Sequence, residues 1–218
     1  FPLSEVAGIR GTINIRNDKA VALSTDQGSL KARDQITNWA GLKLEYIFDN
    51  SINKGRNLYN GIRAKIFAEH YEELSTDSAS VYKNIFKEKT DITILGFDIR
   101  YYQKIHRELI WANRISTSTS LGSRRLLYYL GAIDNWVLLS DKPRFDYSTP
   151  ISTTQDYYFQ TLATPMRGFT QNIRNGNSFA VFNSEIRCPI FKYLMSKPIK
   201  SDFISNFQTI LFTDIGTA

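Results

Sequence analysis

The sequence predicts an all-β chain, an antiparallel up-and-down transmembrane β-barrel to which these 218 residues contribute about eight strands. Three observations carry this. Apolar and polar residues alternate with a period of two over several runs of about ten residues or more, near the roughly 9 to 11 that a tilted strand needs to cross a bilayer and longer than the roughly 5 to 6 of a globular strand. The connections alternate short and long, as they do when turns gather on one side of a membrane and loops on the other. Finally, 14 Phe and 12 Tyr stand against 1 Cys, a balance that favours β-structure. Alternation alone also fits a soluble sheet with one solvated face, so a β-sandwich that binds ligands or proteins is the competing reading.

Along the chain, residues 7–16 place Ile9, Ile13 and Ile15 opposite Arg10, Thr12, Asn14 and Arg16. Asn17-Asp18 reads as a tight turn into a shorter strand over 19–26, followed by a loop over 27–40. The strand 41–49 sets Leu42, Leu44, Tyr46 and Phe48 against Lys43, Glu45 and Asp49. After a turn over 50–60, residues 61–71 set Ile62, Ala64, Ile66 and Ala68 against Arg63, Lys65 and Glu69. A polar run over 72–90 reads as a longer loop. Leu95, Phe97, Ile99 and Tyr101 then oppose Gly96, Asp98, Arg100 and Lys104, and after the turn Ile105-His106-Arg107 comes a strand over 109–121. In it Leu109, Trp111 and Ile115 face away from Ala112, Arg114, Ser116 and Ser118. Apart from 126–130, residues 122–177 read as one long loop, and a loop of that length is usually functional. Strands over 177–190 and 207–217 complete the set.

Composition narrows the function classes. The formal net charge is +6, but Lys and Arg are scattered along alternating faces rather than gathered in a stripe, so nucleic acid is not an expected partner. The mean hydropathy of -0.29 and the lack of an apolar run of about 18 residues exclude helical spans and say nothing of strands. The lone Cys188 lies on an apolar strand face as a small packing residue, and His70 and His106 give a zinc site nothing to stand on. No nucleophile–base or paired-carboxylate constellation is identifiable, so no enzyme, metal or cofactor is expected. His106 reads as a turn residue. The chain starts at Phe1 without an initiator Met and stops inside a strand, which reads as a piece of a longer protein.

The charged faces read as mixed-sign ladders lining a hydrated lumen, with Lys43, Glu45, Arg63, Lys65, Glu69, Asp98, Arg100 and Arg114 among them. Trp111 and the Tyr101-Tyr102 pair fit an interfacial aromatic girdle or ordinary strand packing equally well.

Thr164-Pro165-Met166-Arg167-Gly168-Phe169, with the long strand after it, resembles the "(V/M)RG(F/Y)" loop and following strand of the Omp85 superfamily, the bacterial surface antigen type of outer-membrane barrel. Other landmarks follow in order. Phe48-Asp49-Asn50 through Gly61-Ile62-Arg63 is similar to the family's "D…P…G.R" turn, without its Pro. Residues 109–122 resemble the strand before the motif loop, Tyr129-Leu130-Gly131-Ala132 the "YxGG" segment with Ala for the second Gly, and residues 212–217 the "F.D.G..W" strand.

The resemblance implies a sixteen-strand barrel in the outer membrane of a Gram-negative-type bacterium. It implies a role in inserting or translocating proteins, with the lipid bilayer, client proteins and accessory subunits as partners. It also implies that Arg167 folds into the lumen to pair with Glu185 and Asp214, that Gly168 permits the tight turn, and that Phe169 packs to anchor the tip. Glu185 lies on the polar face of its strand, whereas Asp214 shares a face with Ile210 and Phe212. On an exposed loop the same Arg would contribute only about 0–1 kcal/mol through a salt bridge. A barrel of the same descent serving only as membrane anchor for another domain is the nearest alternative.

Overall fold

The computed structural model describes residues 1–20, 35–77, 90–131, 145–155, 157–195 and 199–218. Its strands are β1 (Ala7–Ala20), β2 (Gln35–Asp49), β3 (Ile52–Gly55), β4 (Leu58–Asp77), β5 (Asp91–His106), β6 (Leu109–Leu121), β7 (Arg125–Gly131), β8 (Tyr157–Pro165), β9 (Arg174–Gly176), β10 (Ser178–Cys188) and β11 (Thr209–Thr217). Two short helices, α1 (Ile190–Leu194) and α2 (Asp202–Asn206), lie between β10 and β11. Seven strands form an antiparallel meander, β1-β2-β4-β5-β6-β10-β11, with β3 paired to β4 as the eighth member of the sheet. A second sheet, β8-β7-β9, lies apart from that path. The chain is therefore all-β, and the meander has open edges at β1 and β11. Among the described residues no helix is long and apolar enough to cross a membrane.

The alternation expected from the sequence is the alternation of the two faces. Ile13 and Ile15 are 79% and 81% exposed, and Leu42, Leu44, Ile66, Leu95, Ile115, Phe182, Leu211 and Ile215 continue the same outward apolar surface across the meander. An exposed apolar surface running over seven strands far exceeds what a soluble monomer ordinarily leaves uncovered. The opposite face carries Glu45, Asp98, Arg114, Asn183 and Asp214 together with the aromatic rings of Phe67 and Tyr71. Those two rings lie over Gly96 and Gly41, where a Cβ would stand 2.5 Å and 2.3 Å from ring atoms.

The small sheet packs on this second face, which is hereafter the inner one. Leu126, Tyr128 and Leu130 of β7 join Trp39, Ile92, Ile94, Phe179 and Val181 of the meander in one buried cluster. Tyr128 stacks edge-on to Phe179 at 4.9 Å and meets Ser118 Oγ at 2.9 Å. At its start β8 is tied to β1, where the Tyr158 hydroxyl donates to Asp18 at 2.6 Å, and its far end delivers residues 166 and 167 to β11. It therefore spans the inner face from first strand to last.

The structure corrects several expectations. Asn17-Asp18 is no turn: both residues continue β1, paired with Asn38 and Thr37, because their polar side chains find partners within the sheet. Residues 35–40, expected in a loop, extend β2, and 72–77 extend β4. Of the expected strand 19–26, residues 19 and 20 continue β1; residues 21–26, residues 27–34 of the expected loop 27–40 and most of the loop 72–90 lie outside the described residues. The stretch 122–177 is not one loop, since it holds β7, β8 and β9. The parallel pairing of β7 with β8 needs a long crossover, and the intervening residues supply it. The Asp-Asn-Trp segment 134–136, Pro143 and Ala132 lie outside the described residues. The turn 50–60 contains the β3 hairpin, and the strand 177–190 ends at Cys188. Of the expected girdle, Tyr101 and Trp111 face outward, but Tyr102 points inward and is buried against Leu58 and Tyr59.

Candidate functional site

The site begins where β8 ends. Met166 donates its N–H to the carbonyl of Gly131 in β7, which fixes the level at which the chain leaves the small sheet. Gly168 then adopts φ +86°, a conformation costly for an L-residue, and a Cβ added there would meet nothing within 4 Å. The glycine is thus required by the backbone and not by crowding. Gly168→Ala is expected to lower stability by about 1–2 kcal/mol, with Gly168→Asn recovering part of the loss because Asn tolerates left-handed backbone. Thermal unfolding of the full-length protein in detergent checks both.

The turn points Arg167 at the inner face of β10 and β11. Its Nε donates to Asp214 Oδ2 at 3.0 Å and its Nη2 to Asp214 Oδ1 at 2.9 Å, a two-pronged match between guanidinium fork and carboxylate. The backbone N–H of Arg167 also reaches Asp214 Oδ2, at 2.8 Å. Nη1 stands 2.6 Å from Glu185 Oε1, so one arginine joins two neighbouring strands. Beneath it the Phe212 ring lies 3.9 Å from the guanidinium carbon, close enough for cation–π attraction. Asn183 completes the shell by donating to Asp214 Oδ1 at 2.8 Å. The hydrogen bonds to Asp214 raise the Arg167 pKa further above its ordinary value, so this residue is a permanent cation. The Asp214 side chain is 1% exposed and that of Arg167 35%.

The three residues expected to meet, Arg167, Glu185 and Asp214, are brought together. Phe169 is a correction. It is 41% exposed, whereas Met166 is 4% exposed with its sulfur against Gly216 and Val181, so Met166 is the buried residue of the motif. The absence of a Cβ at Gly216 leaves the space that the Met166 sulfur fills. Asp214 shares its face with Ile210 and Phe212 because Phe212 is inward too, held under the cation. Asn183 and Arg187 were missed as partners. Their signal was parity alone, since both lie on the Glu185 face of β10. Arg187 binds Glu185 through Nε and Nη2, both at 2.7 Å, and its Nη1 donates to the Asn57 carbonyl at 2.8 Å.

Two further ionic groups continue along the inner face. Asp98 accepts from Arg100 Nε and Arg114 Nε, each at 3.0 Å. Lys43 stands 2.6 Å from Glu69 and 3.2 Å from Glu45, and Lys65 and Arg10 also approach Glu45. These are the mixed-sign ladders that the alternation predicts. Between the Arg167 loop and Tyr102, the side chains of Arg100, Arg114, Asn183, Glu185 and Arg187 line a half-open cavity of about 290 Å³. Among the described residues no group of three or more His, Cys, Asp or Glu is placed to hold a metal ion. His106, expected in a turn over 105–107, is instead the last residue of β5, paired with Leu109 across the Arg107-Glu108 turn, with Nδ1 3.2 Å from the Tyr193 hydroxyl.

No family model, curated protein or solved structure matches this chain.

Proposed function

We propose that the chain is part of an outer-membrane β-barrel of the Omp85 type, non-enzymatic, acting in the insertion or translocation of proteins at the outer membrane of a Gram-negative-type bacterium. The observation that carries this reading is one contact in one context. An Arg-Gly loop is pinned by its arginine to carboxylates on two adjacent strands, inside a long-stranded meander whose other face exposes large apolar side chains on every strand from β1 to β11. The outer face meets acyl chains and the inner one a wet lumen crossed by the small sheet. Backbone groups on the open edges of β1 and β11 have no water to satisfy them in hydrocarbon, so further strands, sixteen in all by the family pattern, close the ring. Partners are the bilayer, client proteins and accessory subunits.

The test is reconstitution of the full-length protein in vesicles with an unfolded outer-membrane β-barrel client. Acceleration of client folding, read as the heat-resistant compact band on a gel, is the expected result. No acceleration by a protein that resists alkaline extraction would favour the passive-anchor reading. Release of the protein from vesicles by alkali would favour the soluble sandwich.

A further inference from the structure

We propose that the described parts of the β10–β11 connection, residues 190–195 and 199–207, seat the short-turn rim of the barrel in an anionic lipid surface; the inference rests on the barrel reading above. The connection lies at the end of the meander that also carries the β3–β4 hairpin and the β5–β6 turn. Arg107 Nη1 donates to the Tyr193 carbonyl at 3.0 Å, and Gln208 Nε2 donates to the Arg56 carbonyl at 2.5 Å, which fixes the connection beside those two turns. Phe191 and Phe207 pair at 5.7 Å across its base.

Neither α1 nor α2 buries a residue. Phe203 and Leu194 are 78% and 71% exposed, and Met195, Ile204 and Phe207 add to the same uncovered apolar surface. It follows directly on β10 and β11, whose Ile186 and Leu211 pair with one another on the outward face two residues before the ladder ends. Charge names the occupant. Among the described residues of the three turns at this end, Lys54, Arg56, Arg107, Lys192 and Lys200 stand against Glu108 and Asp202. Aromatic and aliphatic side chains flanked by Lys and Arg are the composition of an element that lies in the headgroup layer, where the apolar part enters the acyl boundary and the cations meet lipid phosphates.

Fluorescence quenching in vesicles tests this with the full-length protein and its other tryptophans replaced by Phe. Phe203→Trp reports the connection, and native Trp111 reports the outward face of β6. Both are expected to be quenched by brominated phosphatidylcholine. For Phe203→Trp the quenching should be strongest with bromines near the headgroup. It should also fall at least twofold when phosphatidylglycerol is left out or salt is raised. Quenching of Trp111 without quenching of Phe203→Trp would overturn the anchor and leave the barrel standing. Quenching of Phe203→Trp that ignores lipid charge and salt would overturn the anionic assignment. If neither is quenched, the barrel reading fails and the anchor with it.

Discussion

Arg167→Ala is expected to lower the stability of the folded protein by about 2–3 kcal/mol, somewhat below the roughly 3–5 kcal/mol of a fully buried pair because Arg167 keeps part of its surface in water. Most of the cost falls on Asp214. With its side chain almost fully buried, it would lose both guanidinium donors and keep only Asn183 and the backbone N–H of residue 167. Arg167→Lys is not expected to rescue, since an ammonium cannot present the planar fork that reaches Asp214 and Glu185 together. Asp214→Asn combined with Arg167→Ala should cost less than the sum of the two single changes, with a coupling of about 1–3 kcal/mol. Thermal melts of the four proteins in one detergent give this directly, and strict additivity would mean that the two side chains do not depend on one another.

The second large effect is expected from Trp39→Ala, about 3–5 kcal/mol, the usual cost of hollowing an aromatic position in a core. Trp39 is fully buried and its ring lies 4.3 Å from Tyr158, so it holds the start of β8 against β2. Tyr158 also donates to Asp18, and β8 carries the Arg167 loop at its other end. Trp39→Ala should therefore expose 157–165 to proteolysis before the meander opens, which limited digestion and mass spectrometry would read. Trp39→Phe, which refills most of the space, should return most of the stability.

The meander was legible because a two-sided sheet writes its faces into the sequence. Ile9, Ile13 and Ile15 against Arg10, Thr12 and Asn14 fix which face each residue takes, and the same holds for β2, β4, β5 and β6. Strand ends were less legible. Asn17 and Asp18 have turn chemistry, yet Asn17 bonds Asn38 across the strands and Asp18 takes Arg16 and the Tyr158 hydroxyl, so they extend β1. The small sheet was nearly invisible for a different reason. β7 is buried from Leu126 to Gly131 and shows an unbroken apolar run without alternation, and its partner β8 lies some thirty residues away in a parallel pairing that no local pattern announces. In the site, Arg167, Glu185 and Asp214 were legible through the family resemblance. Met166 was not, because its burial depends on the missing side chain of Gly216 on a strand fifty residues later. Phe212 misled in the other direction: on its own it reads as an outward apolar residue, and only the cation above it explains an aromatic ring on the inner face.

The most direct test of the central claim is the structure of the full-length protein in a lipid nanodisc, with the position of Ile13 and Ile15 relative to the bilayer and the separation of Arg167 from Asp214 measured in the same map. The expected result is a closed ring in which further strands pair with the edges of β1 and β11, Ile13 and Ile15 face acyl chains, and the Arg167 guanidinium hydrogen-bonds Asp214 in the lumen. A second protein sheet packed over Ile13 and Ile15, or Arg167 projecting into bulk solvent, would contradict it.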